Sequence, residues 1–237
     1  MKKMKKIAFS LAEVLLTMLV LGILISFTVP SLTLSYERNS TQAGFATIIK
    51  DVNKALFNYS IKNQCKGKLS CTNVFANSNS TELLAPEFSA IKTGTNCWNG
   101  KGNLNGFLNL DNLSCFMDGK GRIFAFATDT ESISADCSTN YYFDSTFAGK
   151  HKLKNSCGLL YADINGQKQP NKFGRDIFMF IITDSSSSYL YPNGGKLLKT
   201  VSNKNIEPWS EDNCNSSGGI TCAGRIVEEG LKVRYLK

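Results

Sequence analysis

The feature that most constrains this chain is an apolar run near its start, from Phe9 to Val29. The run holds 21 residues with a single ionisable side chain, that of Glu13, and four lysines precede it within residues 2–6. A helix of this length spans roughly 30 Å, about the thickness of the hydrocarbon core of a bilayer. Because basic residues stay on the cytoplasmic side, the sequence predicts a membrane helix with everything after Pro30 exported.

Glu13 is the unusual residue of this run. A charged side chain inside a membrane helix costs about 2.5–3.5 kcal/mol on insertion scales, so it is expected to have a partner or a purpose. Cleavage between Ala8 and Phe9 would create an amino group within one helical turn of this carboxylate. An adjacent copy would then offer its own amine to Glu13, and the two charges would neutralise each other where helices pack. The carboxylate therefore indicates self-assembly.

A longer motif surrounds Glu13. It opens with a basic leader that ends in KKIA at residues 5–8, continues with FSLAEVLL at residues 9–16, and closes at Pro30. This motif resembles the leader and first helix of the type IV pilin and type II secretion pseudopilin superfamily. The chain departs from the family at Ala8, because the family usually has Gly before the cleavage site.

The resemblance implies how the chain is processed and where it assembles. Residues 1–8 are expected to be a leader that a prepilin peptidase removes before it methylates Phe9. Glu13 is expected to set the register of subunits in a fibre, and Pro30 to kink or loosen the helix. The implied partners are this peptidase, other pilin or pseudopilin subunits and the membrane. The implied place is a bacterial inner membrane with the N-terminus cytoplasmic, and then a periplasmic or extracellular fibre of a pilus or protein-transport system.

Two other kinds of N-terminal segment share parts of this pattern. A secretory signal usually has an apolar region of about 7–15 residues and an A-x-A-like cleavage site. Here the run is longer, and the candidate site at residues 29–31 (VPS) places Pro just before the cut. A plain single-pass anchor explains the length and the lysines but leaves Glu13 without a purpose. The sequence therefore favours the pilin-like interpretation over both.

The cysteines agree with export of everything after the membrane helix. All eight lie beyond that segment, and an even count in an exported domain predicts disulfides formed in an oxidising compartment. Their spacings do not resemble the C-x-x-C pairs of zinc sites. The sequence leaves the connectivity open, and we propose pairing between neighbours in chain order: Cys65 with Cys71, Cys97 with Cys115, Cys137 with Cys157, and Cys214 with Cys222.

The charge and the motifs exclude several classes of function. The formal net charge is +8, but loss of the leader lysines leaves 23 basic and 19 acidic side chains, a balance of +4. No basic run is interleaved with aromatic residues, so no nucleic-acid partner is expected. No G-x-S-x-G elbow, phosphate loop or H-E-x-x-H motif occurs. We therefore expect no enzymatic activity.

The rest of the chain predicts an α+β fold. Beyond the assembly helix at residues 9–30, the apolar residues between 31 and 62 recur at helical spacing, which predicts an amphipathic continuation of the helix. Residues 63–237 are expected to form an extracytoplasmic pilin-like domain, in which 63–115 is a mostly irregular connection tied down by disulfides. The predicted strands lie at residues 122–128, 158–162, 177–183 and 189–191, with a last candidate at 224–235. The helix is expected to pack on an antiparallel sheet with disulfide-stapled loops.

The loop between two of these strands carries the second set of candidate site residues: Asp163, Asn165, Asn171 and Asp176. Turn residues fill the segment, and the favoured interpretation is a long hairpin loop in which Asp163 binds the backbone. The alternative is calcium, because these side chains are hard oxygen donors. The position of Gly166 and the lack of a closing Glu exclude an EF-hand. The loop resembles the D-x-N-G…P-N…G-x-D segment of pseudopilin-like proteins, some of which bind calcium.

Two functional hypotheses follow. In the first, the chain is a minor pilin or pseudopilin that is cleaved after Ala8 and added to a fibre through its N-terminal helix. In the second, the helix is only a tether, and the disulfide-rich domain is an extracytoplasmic binding module, like an adhesin, that is not incorporated into a fibre. Glu13 separates the two hypotheses, since only assembly needs its charge.

Overall fold

The computed structural model describes residues 10–76, 79–100, 103–104, 108–127, 137, 139–141, 153–185, 187–195 and 208–236. The expected leader and the cleavage site between Ala8 and Phe9 lie outside the described residues. The architecture is α+β, because a long N-terminal helix packs on an antiparallel sheet and disulfides hold the connections. The fold class predicted from the sequence is confirmed.

The described part of the chain contains three α-helices: α1 Leu11–Lys62, α2 Ser80–Leu84 and α3 Cys222–Glu228. α1 passes through Pro30 and remains one helix of 52 residues. It ends at Asn63, whose backbone N–H and side-chain amide both donate to the carbonyl of Tyr59. The predicted continuation of the helix beyond Pro30 is therefore confirmed.

The described strands are β1 Ala90–Gly94, β2 Asn103–Leu104, β3 Leu108–Asn109, β4 Cys115–Asp118, β5 Ile123–Ala127, β6 Thr139–Tyr141, β7 Leu153–Asp163, β8 Ile177–Thr183 and β9 Leu190–Pro192. Seven of them form one antiparallel sheet in the order β1-β4-β5-β7-β8-β9, with β6 also paired to β7. The strands β2 and β3 form a separate small hairpin. The predicted strands at 122–128, 158–162, 177–183 and 189–191 correspond to β5, β7, β8 and β9.

Both faces of the sheet are buried, and β8 shows how the sequence achieves this. Its side chains alternate between the two faces, as the period of a strand requires. On the α1 face, Phe45 packs its ring against Phe178 and Phe180, with ring centroids 4.9 and 5.5 Å apart. On the opposite face, Trp98 and Met179 belong to a second buried cluster. The uninterrupted apolar run of β8 follows from burial on both sides.

The predicted last strand at residues 224–235 is wrong. Residues 222–228 form α3 instead. A Cβ atom at Gly224 would lie 2.0 Å from the carbonyl carbon of Gly194, so the helix approaches that backbone where only glycine fits. The apolar residues of this segment pack against the core from a short helix, and a run of this length does not distinguish helix from strand by its pattern.

The tail that follows α3 is also buried without joining the sheet. Val233 and Tyr235 are buried, and Arg38 of α1 donates from Nε to the carbonyl of Leu236 at 2.9 Å. The connection at residues 63–115 is less irregular than expected, since it contains α2 and the edge strand β1. These elements hold the second half of α1 inside the domain.

Candidate functional site

The first half of α1, from Leu11 to Thr33, is exposed along its whole length. It is long and apolar enough to cross a membrane, and the rise from Leu11 to Leu32 is roughly 33 Å. The second half lies against the sheet and buries Phe45, Ile48 and Val52 completely. One helix therefore has two different surroundings: its N-terminal half is available to lipid or to other helices, and its C-terminal half is part of the domain core.

Glu13 lies in the first turn of α1 and forms a capping box with Ser10. The Ser10 N–H donates to Glu13 Oε2 at 2.8 Å, and the Ser10 hydroxyl donates to the same oxygen at 3.0 Å. In return, the Glu13 N–H donates to Ser10 Oγ at 3.3 Å. A capping box satisfies backbone donors that have no partner at the start of a helix. Glu13 thus has an intramolecular partner in the single chain.

Pro30 lies near the end of the exposed half. Proline has no N–H, so the preceding turn loses one backbone hydrogen bond. Hydroxyls on both sides donate to carbonyls of the same helix: Thr28 to Leu24 at 2.9 Å, and Thr33 to Pro30 at 2.9 Å. Such internal bonding is what a membrane requires of polar groups. α1 is continuous through Pro30 although this one backbone hydrogen bond is missing.

The exposed surface of α1 stays uncharged beyond the apolar run. Between that run and Lys50, the charged residues of α1 are Glu37 and Arg38. Glu37 pairs with Arg175 at 3.1 Å, and Arg38 binds a carbonyl of the C-terminal tail, so both turn toward the domain. Lys50 is the first exposed charge. We call the exposed positions between Leu34 and Gly44 the uncharged strip: Ser35, Tyr36, Asn39, Ser40 and Ala43.

A cavity of about 740 Å³ lies beside the uncharged strip, between α1 and the loop that joins β7 to β8. Tyr36, Ser40 and Gly44 line it from the helix, and Ile164 and Pro170 line it from the loop. Gly44 lies against Ile164 within this lining, because the missing side chain lets the loop approach the helix closely. The second predicted set of site residues therefore lies next to α1.

Asp163 is the completely buried carboxylate of this loop. Its Oδ1 accepts the backbone N–H groups of Asn165 and Gly166 at 3.0 and 2.8 Å. Its Oδ2 accepts the indole N–H of Trp98 at 2.8 Å. Burial, and then the charge of Asp176, raises the pKa of Asp163 well above its usual value. The carboxylate fixes the start of the loop and joins it to the layer around Trp98.

Asp176 fixes the end of the loop, also by accepting hydrogen bonds from backbone N–H groups. Its Oδ2 accepts the backbone N–H of Asn171 at 2.7 Å, and its Oδ1 accepts that of Lys172 at 2.6 Å. The Asn165 side-chain amide donates to Oδ2 at 3.3 Å and so connects the two ends of the loop. Burial raises the pKa of Asp176 as well. All four predicted residues are thus brought together.

The donor set of the loop fits a structural role better than a calcium site. Calcium needs several oxygen lone pairs directed at one point. Here the lone pairs of Asp163 and Asp176 point at backbone N–H groups. The side-chain amide of Asn171 faces the carbonyl of Lys168. Asn165 Oδ1 is buried without a hydrogen-bond partner among the described residues, but one free oxygen is far from the roughly six to eight ligands that calcium takes. Among all the residues that the structure describes, no three His, Cys, Asp or Glu side chains form a group that could hold a metal ion.

Four disulfides hold the connections around the sheet. They join Cys65 to Cys71, Cys97 to Cys115, Cys137 to Cys157, and Cys214 to Cys222, which are the pairs proposed from chain order. The described residues include no free cysteine. The chain therefore offers no thiol nucleophile in its described part, and the bridges act as covalent supports of the domain.

Comparisons with protein-family models, with curated proteins and with solved structures found no match.

One residue of the site was missed by the sequence reasoning. The role of Ser10 is not among the sequence predictions, although Ser10 precedes the ionisable residue of the apolar run by three positions. The pattern S-x-x-E before an apolar run is the sequence signature of a capping box. The pattern Ser10-Leu11-Ala12-Glu13 would therefore have indicated an intramolecular partner for the carboxylate.

Proposed function

We propose that this chain is a type IV pilin-like or type II secretion pseudopilin subunit. A prepilin peptidase processes it, and its N-terminal helix assembles it into a pilus or pseudopilus fibre. The main support for this proposal is that the two halves of α1 differ in their surroundings. One half is buried in the domain core, and the other exposes an apolar surface on which Glu13 is the single ionisable residue. A helix built this way fixes the domain to whatever its exposed half packs against.

The uncharged strip favours a helical assembly over a simple anchor. A single-pass anchor needs about 20 apolar residues, and outside the bilayer its surface is free to carry charge. In this chain the most exposed positions of α1 from Ser35 to Ala43 carry no charge. Glu37, whose side chain is 36% exposed, and Arg38 are both bound by the domain. Removal of charge from a surface is typical of the central part of a protein interface.

The orientation follows from the lysines and the disulfides. The lysines of residues 2–6 remain on the cytoplasmic face of the inner membrane, because positive residues resist export. The domain then lies in the periplasm, where its bridges form, and leaves the membrane as the fibre grows. The partners are the prepilin peptidase, the membrane and other subunits of the fibre.

The first test is the intact mass of the protein extracted from membranes. Processing removes the first eight residues, adds one methyl group to Phe9 and leaves all eight cysteines oxidised. A polypeptide that still begins at Met1 would contradict the proposal, because the amine that neutralises Glu13 would not exist at that position.

The second test uses Glu13 and separates a fibre subunit from a tethered binding module. Glu13→Ala removes both the charge and the capping box, whereas Glu13→Gln removes the charge and retains a side chain that caps. We expect both variants to reach the membrane and to be lost from sheared fibres. A tethered module would tolerate both changes, and its surface display would equal that of the native chain.

A further inference from the structure

We infer that Ser10 holds the Glu13 carboxylate in an intramolecular cap until assembly, and that the carboxylate changes partner when it enters the fibre. The inference rests on the proposed function and adds a positioning residue to it. Ser10 binds Glu13 of its own chain and needs no contact with the neighbouring subunit. It acts through Glu13, because it stabilises the state from which assembly starts.

The geometry of the cap supports an exchange of partners. Within the described residues, every hydrogen bond to the Glu13 carboxylate falls on Oε2, which accepts both from the Ser10 N–H and from the Ser10 hydroxyl. Oε1 accepts from none of these groups. An incoming ammonium group can therefore bind Oε1 before Oε2 leaves Ser10, and the carboxylate is never without a donor during the exchange.

The cap has a clear physical purpose in a membrane. A carboxylate without a partner in an apolar medium is costly, and hydrogen bonds to its charged form reduce that cost. The same bonds stabilise the unassembled subunit, so they oppose assembly by the free energy that they contribute. The cap also survives the proposed cleavage, because Ser10 becomes the second residue of the mature chain and its N–H remains an amide.

The test measures contact between subunits in the membrane with the full chain. Leu16→Cys adds a thiol on the exposed half of α1, where the described chain has no free cysteine. Membranes are oxidised, and the disulfide-linked dimer is measured as a fraction of the total membrane-resident chain. This ratio corrects for any difference in the amount of each variant that is inserted.

Ser10→Ala removes both hydrogen bonds of the hydroxyl and keeps the bond from the backbone N–H. It should raise the dimer fraction about three- to fivefold, the change that corresponds to loss of an N-cap side chain of roughly 1 kcal/mol. Ser10→Thr retains the hydroxyl and should restore the native fraction. Ser10→Gly is the second variant, because glycine remains an acceptable N-cap residue but has no hydroxyl to bind the carboxylate. It should raise the dimer fraction in the same direction as Ser10→Ala.

Combination with Glu13→Gln separates an effect on the charge from an effect on the helix. In that background, Ser10→Ala should have no effect, because there is no carboxylate for an amine to bind. A persistent effect, or native dimer fractions for Ser10→Ala and Ser10→Gly, would overturn the inference. If Glu13→Gln alone left the dimer fraction and the fibre unchanged, the proposed function itself would fail.

Discussion

Gly44 of α1 and Ile164 of the β7–β8 loop are in direct contact, and a side chain at position 44 would crowd Ile164. A Cβ atom at position 44 would lie 3.0 Å from the Cβ of Ile164 and 3.1 Å from its Cδ1. Glycine lowers the stability of a helix interior by roughly 0.5–1 kcal/mol relative to alanine, so its presence here indicates a packing reason. The contact joins the β7–β8 loop, which holds Asp163 and Asp176, to the helix and lies in the wall of the cavity beside the uncharged strip.

Replacement of Gly44 by valine should therefore destabilise the domain. The added methyl groups would overlap Ile164, and overpacking of this kind typically costs about 1–3 kcal/mol. We expect a lower free energy of unfolding in urea for Gly44→Val, measured by circular dichroism on the detergent-solubilised chain. Ile164→Ala in the same variant should restore part of the loss. Gly22→Val is the matched control, because nothing lies within 4 Å of a Cβ at position 22.

Asp163 should make the stability of the protein fall as the pH rises. Burial, and then the charge of Asp176, raises the pKa of Asp163 in the folded chain well above its usual value of 3.8. At pH values between the pKa of the unfolded chain and the raised pKa of the folded chain, the folded state binds the Asp163 proton more tightly than the unfolded state does. Raising the pH through this range therefore lowers the free energy of unfolding. Asp163→Asn should remove this decline in urea titrations at a series of pH values above 3.8.

Asp51 is the control for this prediction, because its pKa is shifted in the opposite direction from that of Asp163. Burial raises the pKa of Asp51, but hydrogen bonds from Lys120 and Arg122 outweigh it, and the pKa is lowered from 3.8. Its contribution is present above that value and is lost as the pH falls through the lowered pKa. Asp51→Asn should therefore reduce the loss of stability in acid. Identical pH profiles for the two variants would contradict both assignments.

Arg122 should be essential for the stability of the β4–β5 turn. Its side chain is 8% exposed and binds Asp118, itself 3% exposed, at 2.6 Å, and Asp51 of α1 at 2.8 Å. Arg122→Ala would leave the Asp118 carboxylate buried without its cation, which typically costs about 3–5 kcal/mol. Lys120 also binds Asp51 but is 63% exposed, so Lys120→Ala should cost at most about 1 kcal/mol. Equal losses for the two variants would show that burial does not govern this network.

The parts of the fold that followed from the sequence are those with a strong local pattern. β8 combines β-branched and aromatic residues over seven positions, a run too short for a typical helix and typical of a buried strand. The second half of α1 repeats its buried residues at helical spacing from Thr41 to Ser60. The disulfides followed chain order because each closes a short segment, the longest with a separation of 20 residues.

The parts that did not follow from the sequence depend on contacts between distant segments. The bond between Trp98 and Asp163 joins residues 65 positions apart, and no local pattern indicates it. α3 was predicted as a strand because its few apolar residues fit either period, and the close approach of Gly224 to Gly194 is a tertiary contact. The capping box of Ser10 was different, because its S-x-x-E signature was present in the sequence.

The uncharged strip yields a prediction that tests the fibre directly. If the exposed face of α1 packs against another subunit beyond the membrane, a charge placed in that face would be buried without a partner. Ala43→Arg should therefore lower incorporation into sheared fibres by about tenfold or more, which corresponds to roughly 1.4 kcal/mol or more per contact. The position is exposed in the single chain, so the fold and the amount in the membrane should be unchanged.

Lys50→Glu is the control for this change, since Lys50 is the first exposed charge beyond the strip and lies about two helical turns after Ala43. It reverses the charge by two units on the same helix and should leave incorporation close to native, because a charge at this position is already solvated. Native incorporation of Ala43→Arg would limit the interface to the membrane half of α1. A loss for both variants would instead place the interface further along the helix, around Lys50.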